Sequence, residues 1–471
     1  MRYFIGVIFA VVLFSPIVLR SMMGTTGDAA PPPDALELVI VTPHGEPIRR
    51  EFEEAFNKYY KEKFGKPVDI QYQLIGGGGG AEMRRTLETL RATEYARNGT
   101  YGIDLAWGGG DSLFDRDLKP YLEGMQFDPS YVAEVFPQPT LAGLRLYEGS
   151  NPPLWYGTAL SSFGIGYNRD VVKYLGLPEP KTWKDLKDPR YYDWLISADP
   201  TRSSSAKTIY MVIVERSMAD AVEQGRSADD GWADGMGLIR QICANCRNFN
   251  DTANSVPSVV SSGDVAASIM IDFFARSQIQ FVGEDRMGYV EPANATVINP
   301  DPIGMIQGAP HRDLAMQFVQ FVLSEPGQRL FDVKAGLPGG PRLTSLRRLP
   351  VRKSVYADMT GFVDPVNPFE QTTSFNTSRA RTATYPILGE LIQASCMDLL
   401  NDLKTTRQAI LASPRAAELD AKLGRFPFDQ AEALKRQADY QAASPPVRLE
   451  MMQRWTDEFR QEYQKLREAA R

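Results

Sequence analysis

The sequence predicts an α/β protein built as two lobes, and three observations predict it. The chain has 471 residues, more than one hydrophobic core usually serves at about 100–200 residues per domain. From Ala35 onward, strand and helix patterns alternate, the mark of helices covering a largely parallel sheet. Several strands also run out into glycine or polar residues, where open α/β sheets place ligands.

In chain order, Arg2 precedes an apolar, uncharged run from Tyr3 to Leu19, which reads as an export signal or a short membrane anchor within residues 1–20. Residues 21–34 hold GTTGDAAPPPD (Gly24 to Asp34), a semi-stiff linker. LELVIVT (Leu36 to Thr42) is a strand leading into Pro43-His44-Gly45, and Ile48, Phe52, Ala55, Phe56 and Tyr59 then recur at helical spacing. VDIQYQL is a second strand, followed by five glycines (Gly76 to Gly80) and a helix to Arg97. A third strand, Asp104 to Trp107, ends in Gly108-Gly109-Gly110-Asp111. A further strand in WLISADP delivers Thr201-Arg202-Ser203-Ser204-Ser205 to the start of a helix.

Composition narrows the function. Hydrophobic residues make up 43% and charged residues 23%, an ordinary globular balance. With 52 Lys and Arg against 58 Asp and Glu the net charge is −6, the wrong sign for a nucleic-acid partner. Neither glycine run has the spacing of a phosphate loop or dinucleotide fingerprint. Three cysteines make no disulfide framework. Cys243 and Cys246 are read as a local disulfide or buried thiols, and Cys396 as core. With only His44 and His311 available, no zinc site is expected.

The hydroxyls of Ser203, Ser204 and Ser205, with Thr201 and Arg202, stand where the free N–H groups of a first helical turn would complete an anion site. Capping alone would need one of those serines. Gly76 to Gly80 is read equally as a hinge or as a binding surface.

The order of blocks resembles the extracellular solute-binding proteins of bacterial ABC importers, in the branch of ferric-ion, thiamine, aminophosphonate and sugar-phosphate binders. The blocks are LELVIVTPHG, IDLAWGGGDSLF, SSFGIGYNRD, TWKDLKDPRYYDWLISADPTRSSS, GDVAASIMIDFFAR and HRDLAMQFVQFVLSEPGQRLF, covering roughly residues 36–345. The resemblance implies the two-lobed periplasmic-binding-protein type 2 fold. Lobe 1 is expected at 35–158 plus 303–395, lobe 2 at 159–302, and a helical C-terminal extension at 396–471. It also implies a periplasmic or cell-surface monomer that hands a small ligand to ABC permease subunits and touches the membrane only through its N-terminal segment.

Ferric binders of this branch use adjacent tyrosines, a histidine and usually an acid. Here His44 follows the first strand, but the tyrosine-pair position reads Phe273-Phe274, and phenylalanine offers no oxygen to a hard ion. Iron is therefore the alternative, and the expected ligand is a small polar anion such as a sugar phosphate or phosphonate. Its candidate contacts are Thr42, His44, Trp107, Gly109, Asp111, Ser161, Ser162, Thr201, Ser203, Ser204, Ser205, Asp272 and Phe273. In this reading Trp107, Phe273 and Phe274 form an apolar wall and Asp272 accepts hydrogen bonds. No cofactor, resident metal or catalytic residue is read: a hydrolase built on Ser161, Ser203 and Asp272 lacks a nucleophile elbow. A structural envelope role is suggested only by the tail, where Leu449, Met452, Trp455, Phe459 and Tyr463 form one stripe expected to pack on the chain's own domain.

Overall fold

The computed structural model describes residues 32–74, 79–370 and 383–471. The signal or anchor, most of the linker, and Ile75 with Gly76 to Gly78 of the glycine run lie outside them. The chain divides into two compact units. In one, residues 57–69 with the described residues 32–37, the Asn57 side chain bonds both the N–H and the carbonyl of Val68. The other, residues 38–56 and 70–471, carries the cleft and nearly all of both sheets.

Two sheets organise that unit. The first contains Leu36–Thr42 (β1), Val68–Leu74 (β2), Leu105–Trp107 (β3), Leu122–Glu123 (β4), Trp155–Ser161 (β7), Asn299–Ile306 (β13) and Leu349–Pro350 (β14), in the order β14-β7-β13-β3-β1-β2 with β4 beside β13. A small hairpin, Thr140–Leu141 (β5) and Leu144–Arg145 (β6), stands apart. The second sheet runs β10-β9-β11-β8-β12, from Phe163–Asn168 (β8), Leu195–Ala198 (β9), Cys246–Asn250 (β10), Ala267–Ile271 (β11) and Met287–Val290 (β12).

Both sheets are mixed, where alternation alone suggested largely parallel ones. β1 pairs with β3 in parallel, but β13 is antiparallel to β3 and to β7, and β8 is antiparallel to β11 and β12. The cause is connectivity. The chain leaves the first sheet along β7, passes through Ser162 alone, and enters the second along β8; it returns into β13. The Thr296 hydroxyl braces the return by donating to the Phe163 carbonyl and accepting from the Phe163 N–H. The result is the two-lobed α/β arrangement expected from the sequence, with C-terminal helices added.

Local sequence explains the elements that reach the cleft between the sheets. In the helix Glu46–Phe64 the buried residues include Ile48, Phe52 and Phe56, the apolar stripe read from spacing. Phe52 meets Trp107 edge to face with ring centroids 5.0 Å apart. Pro300 and Pro302 supply no N–H to the ladder of β13, and its register with β7 shifts between Asp301 and Pro302, as a proline-punctuated strand does at a bulge.

The C-terminal region is part of the second lobe's core. Tyr385, Ile387, Leu388, Leu391 and Ile392, expected in the return to lobe 1, share one buried cluster with Trp232, Ile239, Leu403, Trp455 and Tyr463. In the stripe expected to face inward, Trp455, Phe459 and Tyr463 are buried, while Leu449 is 72% exposed. Met451 and Leu466 are buried too. The fully buried Arg240 donates to Glu462 and to the Leu423 and Arg425 carbonyls, each at 2.8 Å. Gly237 lies so close that a Cβ there would stand 2.0 Å from the Gly424 carbonyl oxygen, so only glycine fits. Trp455→Ala should therefore destabilise the whole lobe, by about 3–5 kcal/mol in urea unfolding. An unchanged main transition would mean that the extension folds independently.

Candidate functional site

A cleft of about 1040 Å³ opens between the two sheets. Its first wall begins where β1 ends. The Thr42 hydroxyl donates to the Trp107 carbonyl (2.7 Å) and accepts from the His44 N–H (3.1 Å), so the loop after β1 is tied to the end of β3. His44 then turns onto Asp301, its Nε2 lying 2.8 Å from Oδ2. Gly108 and Gly109 have φ of +96° and +103°, a region that favours glycine. A Cβ on Gly108 would stand 2.7 Å from His44 Nε2. The Gly109 N–H donates to Asp301 Oδ1 at 2.9 Å.

Arg348 completes the cluster. Its Nη1 donates to Asp301 Oδ2 at 2.7 Å and its Nη2 to the Ser161 hydroxyl at 3.2 Å. Its guanidinium lies over the Phe273 ring, 4.4 Å from the centroid, a cation–π contact that ties the wall to the second lobe. The preceding segment is anchored by buried Glu51, which accepts the backbone N–H groups of Arg342, Leu343 and Thr344 at 2.5–2.8 Å.

Charge in this cluster is unequal. Burial alone would raise the Asp301 carboxyl, but Arg348 and His44 outweigh it and hold it well below the usual carboxylate range. Burial pushes His44 down from its ordinary value, against the pull of Asp301 and with the help of Arg348. His44 is thus a neutral imidazole near neutral pH. Nε2 also lies 3.2 Å from Arg348 Nη1; the tautomer with its proton on Nε2 serves the Asp301 carboxylate, and Nδ1 has no hydrogen-bond partner.

The second wall is the start of the helix Ser204–Glu223. Ser203 caps it, its Oγ accepting the Ala206 N–H at 3.2 Å and lying 3.1 Å from Ser205 Oγ. Arg202 pairs with Asp251 at 2.9 Å on the rim. Phe274 and Phe281 also line the cleft, and Phe281 is 85% exposed.

Of the candidate contacts, Thr42, His44, Gly109, Ser161, Ser203, Ser204, Ser205 and Phe273 line the cleft; five do not. Trp107 is wholly buried behind His44, donating through Nε1 to Thr158. Thr201 is engaged in its own turn, its N–H and hydroxyl both reaching Asp199 Oδ1 at 2.7 Å. Ser162 donates away from the cleft to Glu291. Asp272 faces Arg276 (3.9 Å); burial pushes its pKa up to about 6, opposed by Arg276 and aided by Glu291. Asp111 accepts the Ser112 N–H at 2.7 Å and is pushed up to about 6 by burial and by Asp115.

The principal residues missed by sequence reasoning are Asp301 and Arg348. A carboxylate flanked by two prolines inside an otherwise apolar strand was the available signal for Asp301. Phe273 and Phe274 carry no oxygen, and no group of three His, Cys, Asp or Glu among the described residues could hold a metal ion.

Removing the central charge should be costly. Asp301→Asn leaves Arg348 buried without its counter-ion, a loss of about 3–5 kcal/mol at pH 7. The carboxyl's folded pKa lies below its unfolded value near 3.9, so its contribution is full above that pH and fades as pH falls through the folded pKa. The gap between the two proteins in urea melts should therefore begin to narrow below about pH 4 and close only as pH falls through the folded pKa; a gap independent of pH would show that charge is not the cause.

Residues 126–344 match the family described as bacterial extracellular solute-binding protein. The phosphoglycerate transport regulatory protein PgtC of Salmonella typhimurium is 25% identical over 173 residues, 36% of this chain and 39% of its own length. Iron uptake protein A1 of Synechocystis is 26% identical over 209 residues, 41% of this chain and 53% of its own length. The matches thus span about half or less of those relatives. Among solved structures, the periplasmic binding protein P5PA superposes with a TM-score of 0.56 at 17% identity, over 75% of this chain and 94% of that one. Residues 126–344 thus resemble the bacterial extracellular solute-binding proteins, and the solved structures share the two-lobed fold.

Proposed function

We propose that the chain is the exported solute-binding subunit of an ABC importer, held in the periplasm or at the cell surface, and that its cargo is a small phosphorylated or similarly anionic organic molecule. One observation carries this reading: the hydroxyl-rich start of the helix Ser204–Glu223 and the Arg348–Ser161 pair line the same cleft. Helix N–H groups, hydroxyls and guanidinium are all donors, and an anion is what satisfies them together. Arg49, Arg202 and Lys334 also line the cleft, against the carboxylates Asp251 and Asp301. Phe273, Phe274 and Phe281 give the non-ionic part of the cargo an apolar surface.

Solute capture would deliver the cargo to permease subunits from a monomeric binder, with no turnover. The phosphoglycerate relative favours phosphate esters, whereas the iron-uptake relative keeps ferric ion as the alternative, against the donor set of this cleft.

A thermal-shift comparison of the chain from residue 35 with 3-phosphoglycerate, fructose 6-phosphate, fructose and ferric citrate tests it. Ligand at a hundredfold excess over Kd stabilises the native state by about 2.7 kcal/mol. A shift with a phosphate ester but not with fructose is expected. The double change Ser204→Ala, Ser205→Ala should weaken that binding about tenfold or more, since bonds to a charged group contribute about 1.5–3 kcal/mol each. A shift with ferric citrate alone would overturn the reading.

A further inference from the structure

Arg347 and Arg348 are consecutive, yet their side chains part. Residues 343–346 and Arg348 line the cleft, and Arg347 does not. Its φ of +55° is the left-handed backbone that a residue with a side chain holds only where its surroundings fix it. The guanidinium turns to Asp364, its Nε and Nη2 donating to the two carboxylate oxygens at 2.8 and 2.6 Å. Nη1 is then left for the Arg276 carbonyl, 2.7 Å away.

These contacts join the two lobes. On the first-lobe side, the Arg348 N–H donates to the Phe331 carbonyl at 2.9 Å and the Val363 N–H to the Asp332 carbonyl at 2.8 Å, so the backbone beside both Arg347 and Asp364 is anchored. On the other side, Phe273 and Arg276 belong to the helix Asp272–Val282, which continues directly from β11 of the second sheet. That helix starts at the crossing between the sheets, where the Asp272 N–H donates to the Ser162 carbonyl at 3.0 Å. Arg348 lies over Phe273, and Arg347 reaches Arg276, about one turn further along. Positions three apart are neighbours on a helix surface. The helix is therefore held at two points, where one contact beside the crossing would leave it free to turn.

We infer that Arg347 and Arg348 form a clasp between the lobes, and that Arg347, from outside the cleft, sets how far the cleft opens. The ion pair that aims Arg347 is sheltered: the Arg347 and Asp364 side chains are 13% and 12% exposed, and a bidentate arginine–carboxylate pair combines charge with direction. The Arg342–Glu54 pair of the same segment is also bidentate, but its side chains are 64% and 37% exposed, where water and salt leave an ion pair little strength. Arg276 does not compete for Asp364, because its own guanidinium pairs with Glu291 at 3.1 Å. A binder held closed for a larger fraction of the time binds its cargo more tightly in proportion. That last step rests on the solute-capture reading; the clasp itself does not.

The test is the distance between the lobes, read by double electron–electron resonance on the full chain with spin labels at Asp285→Cys and Asp313→Cys, both exposed positions. The three natural cysteines are buried and stay unlabelled in the folded protein. Arg347→Ala should move the distance distribution outward and broaden it, and Asp364→Asn should do the same to a smaller extent. Arg342→Ala should leave it as it was. Arg347→Gly removes the side chain while suiting the left-handed backbone, so it takes the place of Arg347→Ala if that variant does not fold. An unchanged distribution in a folded Arg347 variant would overturn the inference, and so would an equal change in Arg342→Ala. No cargo is added, so the result is independent of what the cleft binds.

Discussion

The carboxylate of Asp301 is the point to which the cleft is fastened. It takes hydrogen bonds from the Gly109 N–H and Arg348 and lies against His44 Nε2, so the segments after β1 and β3 and before β14 share one anion on β13. A buried charge is tolerated only when its partners replace the water it has lost. Here they do so with a cation, a backbone donor and a neutral ring. The bulge at the two prolines places the carboxylate, and the positive-φ glycines let the loop after β3 approach it. Arg348 carries the arrangement across the cleft through Ser161 and the ring of Phe273.

The opposite wall owes its position to a different kind of order. The helix Ser204–Glu223 is buried along much of its length, packed against the helix Ala228–Cys243 and, through Tyr385, against the C-terminal region. A helix N-terminus can serve an anion only if it is held still. The extra helices, far from the ligand in sequence, therefore bear on the site by fixing the core behind it.

Much of the framework was legible in the sequence because it is written in local periodicity. LELVIVT is β1 and VDIQYQL is β2, and the stripe Ile48, Phe52, Phe56 faces inward. The serine-rich helix start and two glycines of the loop after β3, Gly109 and Gly110, line the cleft. What escaped depends on distant pairing. His44 and Asp301 are separated by 257 positions, and Arg348 and Asp301 by 47; no periodicity encodes either contact. Side-chain direction at strand ends was equally hidden. Ser161 and Ser162 read alike, yet one meets Arg348 and the other turns to Glu291. Trp107, read as a wall, stands one layer behind His44.

The most direct test of this account is the titration of His44 by imidazole 15N NMR, made tractable because the chain has only two histidines and His311→Gln assigns the signals. The account predicts a neutral ring carrying its proton on Nε2, with a midpoint below the ordinary value of about 6.5. A midpoint at or above that value, or a proton on Nδ1, would contradict a neutral histidine donating to an ionised Asp301, and with it the charge arrangement on which the cleft rests.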